Sequence, residues 1–179
     1  VRMGTSVGRV VALARACHPE PTVAVTLVAG LLATAAGLSP WRGALVTATV
    51  LASQLAVGWS NDATDAVRDT ATGRADKPVA TGALPRAVPA VAAGLAAVAT
   101  VLLAAGTGPV PATVATIALI SGLLYNWPLK STVGSVLPYA VSFAALPAFV
   151  LLAADRPLPG WLPVAGALMG AGAHFANAL

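Results

Sequence analysis

"WSNDATDAVRDTATGRADKPVATG", Trp59 to Gly82, holds four of the six acidic residues of this chain and interrupts an otherwise almost uncharged sequence. The whole is 58% hydrophobic and only 9% charged, where a soluble domain carries about a quarter charged residues. No charge falls between Glu20 and Arg42, between Arg42 and Asp62, between Arg86 and Lys130, between Lys130 and Asp155, or after Arg156. A helix needs about 20 apolar residues to cross a hydrocarbon core of about 30 Å. The Arg86–Lys130 interval is long enough for two such helices and is broken by Gly106-Thr107-Gly108-Pro109. The spacing therefore predicts six helices, near Thr22–Leu38, Gly43–Ser60, Ala87–Ala105, Val110–Tyr125, Val133–Ala154 and Gly160–Leu179. Backbone groups find no water in lipid, so helix is the expected form. The fold class is all-α, a polytopic transmembrane bundle, with residues 1–179 forming one membrane domain.

The basic residues set an orientation. With the N-terminus cytoplasmic, Arg2, Arg9, Arg15, Arg68, Arg74, Lys77, Arg86 and Lys130 share the inner side, leaving only Arg42 and Arg156 outside. That is the positive-inside bias, and it accounts for the net charge of +4 without a nucleic-acid partner. The expected location is a bacterial cytoplasmic membrane. Residues before Pro21 lack the apolar core and cleavage site of a secretory signal and read as a cytoplasmic lead-in, partly helical along the membrane surface. Cys17, the one cysteine, excludes an intramolecular disulfide and a cysteine metal cluster.

The chemistry gathers in the inner loop 61–86. If the second helix continues past Ser60, 100° per residue brings Asp62, Asp65 and Asp69 within about 60° of arc, with Asn61 and Arg68 beside them. Three carboxylates on one face at a membrane boundary repel one another. They are either solvated charges paired with Arg68, Arg74 and Lys77, or ligands for a divalent cation. Hard oxygen donors suit Mg²⁺, which takes one or two carboxylates, water and phosphate oxygens. Such an ion would assist ionisation of an allylic diphosphate, with Arg68, Lys77 and Lys130 as further donors. The isoprenoid tail would lie in the apolar bundle, away from water. Trp59, Tyr125 and Trp127 read as an interfacial aromatic belt, with a cation-stabilising role open to them.

"NDATDAVRD" (61–69) resembles the first aspartate-rich motif, N-D-x-x-D-x-x-x-D, of the UbiA-type intramembrane prenyltransferases. "GRADKPVATG" (73–82) and "YNWPLK" (125–130) are similar to that family's R-x-D-[KR]-P and Y-x-x-P-L-K segments, in the same order. The resemblance runs from about Arg15 to the end. It implies nine transmembrane helices, of which about six are present here, and transfer of a prenyl group from a polyprenyl diphosphate to a lipophilic, usually aromatic acceptor such as a quinone precursor. Carried over by position, Asn61, Asp62, Asp65 and Asp69 would hold Mg²⁺ and the diphosphate. Arg68 and Lys130 would contact the diphosphate, Asp76 and Lys77 would shape the cytoplasmic mouth, and Tyr125 would border the substrate.

Two departures stand out. "ARACHPEP" (14–21) replaces the family's first-helix Arg-Pro signature, which makes Arg15 and His18 candidate substrate contacts, with an interfacial role the commoner one for a lone His before Pro. The family's second aspartate motif is not found. "GAHFANAL" (172–179) resembles the approach to it, so the expected reading is the N-terminal two-thirds of such an enzyme, with His174 lining the cavity. A non-catalytic fragment and a membrane transporter with boundary acids are the alternatives. A transporter favours ionisable groups near mid-membrane.

Overall fold

The computed structural model describes residues 6–178, with side chains to residue 176. Arg2, counted in the charge bias, and Leu179, the expected end of the last span, lie outside the described residues. Seven α-helices follow one another: α1 (Ser6–Ala16), α2 (Pro19–Ala35), α3 (Pro40–Ala71), α4 (Ala87–Ala105), α5 (Pro109–Asn126), α6 (Val136–Ala153) and α7 (Trp161–Ala178). Two 3₁₀ turns, Leu129–Ser131 and Val133–Ser135, join α5 to α6. No strand occurs among the described residues. Helices α2, α3 and α5 begin on proline, whose missing N–H is one that a first turn leaves unpaired anyway.

Helix α3 organises the bundle, packing against α1, α2, α4, α5 and α6. It runs eleven residues beyond the Ser60 expected for its end. Nothing between Ser60 and Ala71 breaks a helix, and the stop comes at Gly73. There a positive φ of 68° lets Arg74 N–H return to Asp69 O at 3.0 Å, a left-handed glycine termination. The acidic motif thus stands on a rigid helix, and the true loop is 72–86.

Four stretches are long and apolar enough to cross a membrane: α3, α4, α5 and Val133–Ala153. Helices α1 and α2 pass that test only together, with a 65° bend between them, because α2 alone has 17 residues. The expected first span is therefore short, and the described part of the lead-in is helix α1, set off from α2 by the corner at Cys17 and His18. Helix α7, which carries His174 and Asn177, is not among the four.

A core of small residues lets the helices approach closely, as membrane packing favours. Ala29, Ala33, Val46, Ala104, Ala115 and Ala153 meet Phe149 and Val150 at its centre. Large side chains such as Leu27, Leu31, Leu95 and Leu102 point outward and are exposed, an apolar surface whose natural solvent is lipid. Closest approach occurs at Gly58, where an added Cβ would lie 2.1 Å from Cys17 O. This locks the α1–α2 corner onto α3 one turn before the acidic motif.

Charge divides between the two ends. Arg42 donates to Asp155 at 2.9 Å and Arg156 to Ala36 O at 3.3 Å. Arg68 stands 26 residues along α3 from Arg42, about 39 Å away at 1.5 Å per residue.

Candidate active site

The register of α3 turns the three aspartates inward. Asp62, Asp65 and Asp69 are 1%, 8% and 3% exposed, a burial that carboxylates rarely accept unless paired. Their partners differ. Asp65 Oδ2 accepts from Lys130 Nζ and lies 2.8 Å from the Arg68 guanidinium. Asp62 is 3.6 Å from Lys77 Nζ and accepts from Val79 N–H at 3.4 Å. Asp69 pairs, among the described residues, with Arg68 Nε at 3.8 Å. One oxygen on each of the last two, Asp62 Oδ1 and Asp69 Oδ2, is buried without a hydrogen bond.

The loop 72–86 folds back over this face. Leu84, 2% exposed, packs against Ala12 and Ala16 of α1, and Arg86 Nε donates to Ala63 O at 2.7 Å. Lys77, only 7% exposed, is thereby carried into the site. Its ammonium is 2.8 Å from His18 Nε2 and donates to Asn61 Oδ1 at 3.2 Å. Burial draws this ammonium below the ordinary lysine range, opposed by the charges of Asp62 and Asp69.

Asn61 is the hub of a polar chain. Its Oδ1 also lies 3.1 Å from His18 Nε2, while its Nδ2 donates to Asn126 Oδ1 at 3.2 Å. Asn126 Nδ2 donates on to Val57 O at 2.8 Å. Both ends of the Asn61 amide are therefore engaged, and it supports the acidic face rather than offering a free ligand to it. His18 caps α2 in a left-handed conformation, φ 57°. Its position directly before Pro19 is the sequence signal of that corner, and the structure brings it to Asn61 and Lys77 rather than leaving it at the interface. Asn126 was missed as a site residue, although it lies inside the quoted "YNWPLK".

The other candidates fall in three places. Asp76 is exposed and paired with Arg74 through hydrogen bonds of 2.9 and 2.7 Å, which hold its carboxyl below the usual carboxylate range. It stands on the loop's outer surface. Arg15 is exposed and makes no ion pair among the described residues, so the structure does not bring it to the cluster. Tyr125 is inside, with Lys130 Nζ 5.9 Å from its ring centroid, and it meets Tyr139 edge-on at 5.0 Å and His174 at 6.2 Å. Of the expected aromatic belt, Trp127 is exposed at a helix end. Trp59 instead donates Nε1–H to Leu13 O at 2.8 Å, clamping α1 to α3. Tyr125 and Trp59 are drawn inward because each has a packed neighbour to meet.

Compared with protein-family models, residues 22–179 match the UbiA prenyltransferase family. The chain belongs to that family. Compared with curated proteins and with solved structures, it has no match. Membership makes the chain an integral membrane protein, and it implies prenyl transfer from a prenyl diphosphate to a lipophilic acceptor in general terms.

No group of three or more carboxylate, imidazole or thiol side chains among the described residues converges closely enough to hold a metal unaided. The two buried oxygens of Asp62 and Asp69 that lack a hydrogen bond nevertheless suit an ion that takes few protein ligands and completes its shell from water and phosphate. Mg²⁺ fits that description, and a cage of all three aspartates with Asn61 does not.

Proposed function

We propose that this chain transfers a prenyl group from a polyprenyl diphosphate to an aromatic acceptor within the membrane, with Mg²⁺ as cofactor. The observation that carries the reading is the unequal pairing of the three carboxylates. Asp65 is held by two cations, whereas Asp62 Oδ1 has only the long ion pair with Lys77 at 3.6 Å and Asp69 Oδ2 is buried without a hydrogen bond. A site built only for structure would satisfy those oxygens.

Asp62 and Asp69 would hold Mg²⁺, which when bound neutralises charge on the diphosphate leaving group. Lys130 and Arg68, already poised at Asp65, are the donors that meet the diphosphate directly, Arg68 in bidentate fashion. The C1–O bond of the donor breaks and the diphosphate departs with its electron pair. The ring of Tyr125, next to Lys130, borders the allylic carbon and stabilises its positive charge through the π face. The docked loop and the apolar bundle keep water from that cation. Asp76 and Lys77 belong to the loop at the mouth, Lys77 within the site and Asp76 at its rim. The charge bias supports an inner-side mouth and a cytoplasmic N-terminus, in a bacterial cytoplasmic membrane.

Removal of divalent ions tests the reading. The protein is reconstituted in liposomes with tritiated farnesyl diphosphate and para-hydroxybenzoate, and label in the phenol is counted. Chelation is expected to abolish labelling and Mg²⁺ to restore it, with Ca²⁺ restoring little because it prefers a larger shell. Transfer that persists in chelator would exclude the metal-assisted reading.

A further inference from the structure

Helix α1 carries two cations that no described residue engages. At the acidic end of the bundle, Arg68 and Lys130 pair with Asp65, Arg74 with Asp76 and Lys77 with Asp62, and Arg86 donates to Ala63 O. The guanidiniums of Arg9 and Arg15 are exposed and have neither a hydrogen bond nor an ion pair among the described residues. No acidic residue lies between Ser6 and Pro19, and Glu20, just past the corner, is exposed and pairs with neither arginine. An apolar stripe accompanies them. Val7, Val10, Val11 and Ala14, three and four residues apart, share one face of the helix, and all are exposed. The opposite face is buried, with Ala12 and Ala16 packed against Leu84 of the loop 72–86. The depth of α1 is fixed by Trp59, which donates to Leu13 O at 2.8 Å. Trp59 ends the charge-free run of α3, three residues before Asp62, so α1 lies at the boundary of the hydrocarbon. A 65° bend turns it away from the direction of α2. A helix at that depth, with an apolar stripe and uncommitted arginines, matches a bilayer surface that carries negative charge.

We propose that α1 docks an anionic phospholipid of the surrounding bilayer, and that the bound lipid steadies the loop 72–86 over the carboxylate face. The lipid phosphate meets Arg9 and Arg15, whose planar guanidiniums offer paired N–H donors to its oxygens. The acyl chains lie along Val7, Val10 and Val11. Arginine stems keep their methylenes on apolar ground while the charged ends reach the headgroup layer. Charge complementarity selects the partner. A zwitterionic headgroup brings a cation of its own to the two arginines, whereas an anionic one brings none. The link to the loop passes through a single layer of packing. Lipid on the outer face of α1 holds the helix down, and Ala12 and Ala16 on its inner face are the floor on which Leu84 rests. Leu84, with Arg86 on Ala63 O, anchors the loop that carries Lys77 to Asn61.

Two readouts on the full chain in nanodiscs test this, and neither depends on prenyl transfer. In the first, Val10→Cys in a Cys17→Ser background carries a bimane dye. The discs hold phosphatidylcholine with a minor share of either brominated phosphatidylglycerol or brominated phosphatidylcholine, and bromine quenches the dye on contact. Phosphatidylglycerol is expected to be enriched at α1 by about fivefold for each arginine. Arg9→Gln with Arg15→Gln should bring the two lipids to parity, while Arg9→Lys with Arg15→Lys should keep most of the preference. These changes leave the packed face of α1 untouched, so the fold survives them. In the second readout, trypsin cleavage after the exposed Arg74 of the unlabelled chain reports release of the loop. Cleavage should be severalfold slower with phosphatidylglycerol in the disc than without it, and equally fast in both discs for the glutamine variant. Equal quenching by the two lipids in the arginine-bearing chain overturns the docking assignment, as does a preference that survives in the glutamine variant. Soluble glycerol phosphate that abolishes the preference marks a free-anion site and overturns the lipid. A dye quenched by neither lipid shows that water or another protein covers α1, which overturns it as well. A lipid preference with unchanged cleavage after Arg74 overturns the link to the loop.

Discussion

Asp69→Asn is expected to lower prenyl transfer by about 10²–10³-fold, the scale of losing one preorganised electrostatic contact, while leaving the fold at least as stable. The two outcomes have one cause. Asp69 is 3% exposed, its Oδ2 has no hydrogen bond, and its nearest ion pair among the described residues, with Arg68 Nε, is long at 3.8 Å. A buried anion so poorly compensated costs the folded chain free energy, and asparagine has the same shape without the charge. If the carboxylate is kept for substrate and metal, its loss removes rate and relieves the fold, the usual exchange of stability for activity at a functional site. Transfer rate in proteoliposomes and thermal unfolding in detergent check both halves. A fall in unfolding temperature that tracks the loss of rate would show that Asp69 is structural. The exposed Asp76 provides the contrast, since Asp76→Asn removes only a surface pair with Arg74 and should alter neither measurement much.

Lys77→Met is expected to act in the opposite sense and to destabilise the chain by about 3–5 kcal/mol, the range for stripping one partner from a buried ion pair. Among the described residues Lys77 is the ammonium that pairs with Asp62, itself 1% exposed. It also ties the loop to His18 and Asn61, so its removal frees the loop from both α2 and α3. Adding Asp62→Asn to the same chain removes the orphaned charge and should recover a large part of the loss. Denaturant unfolding of the wild type, two single variants and the double variant gives the coupling directly. Additive losses, with no recovery in the double variant, would contradict the pairing drawn here.

Much of this was legible in the residues. Charge-free intervals marked α4 to the residue and α5 to within one at each end, because in lipid the period of apolar residues matters less than the absence of charge. The acidic face was legible too, since Asp62, Asp65 and Asp69 keep one side of a helix whatever that helix packs against. The pairing within that face was not. Which oxygens are satisfied depends on Lys130 and Lys77 arriving from 65 and 15 residues away along the chain, and no local spacing encodes that. The contacts of His18 and Asn126 escaped for the same reason. Each is a lone polar residue whose meaning comes from Asn61, across the bundle. Helix α3 runs past the Ser60 expected from polarity because polar residues alone do not end a helix, and the backbone signal for termination waits at Gly73.

The central claim is that the carboxylate face ionises a prenyl diphosphate and passes the prenyl group on, and stoichiometry tests it most directly. Inorganic diphosphate and prenylated phenol are measured together in sealed proteoliposomes supplied with Mg²⁺, farnesyl diphosphate and para-hydroxybenzoate. One diphosphate is expected for each prenyl group transferred, with both lost in Asp69→Asn. Solute movement across the vesicle wall with no diphosphate release, or release that proceeds equally in Asp69→Asn, would contradict it.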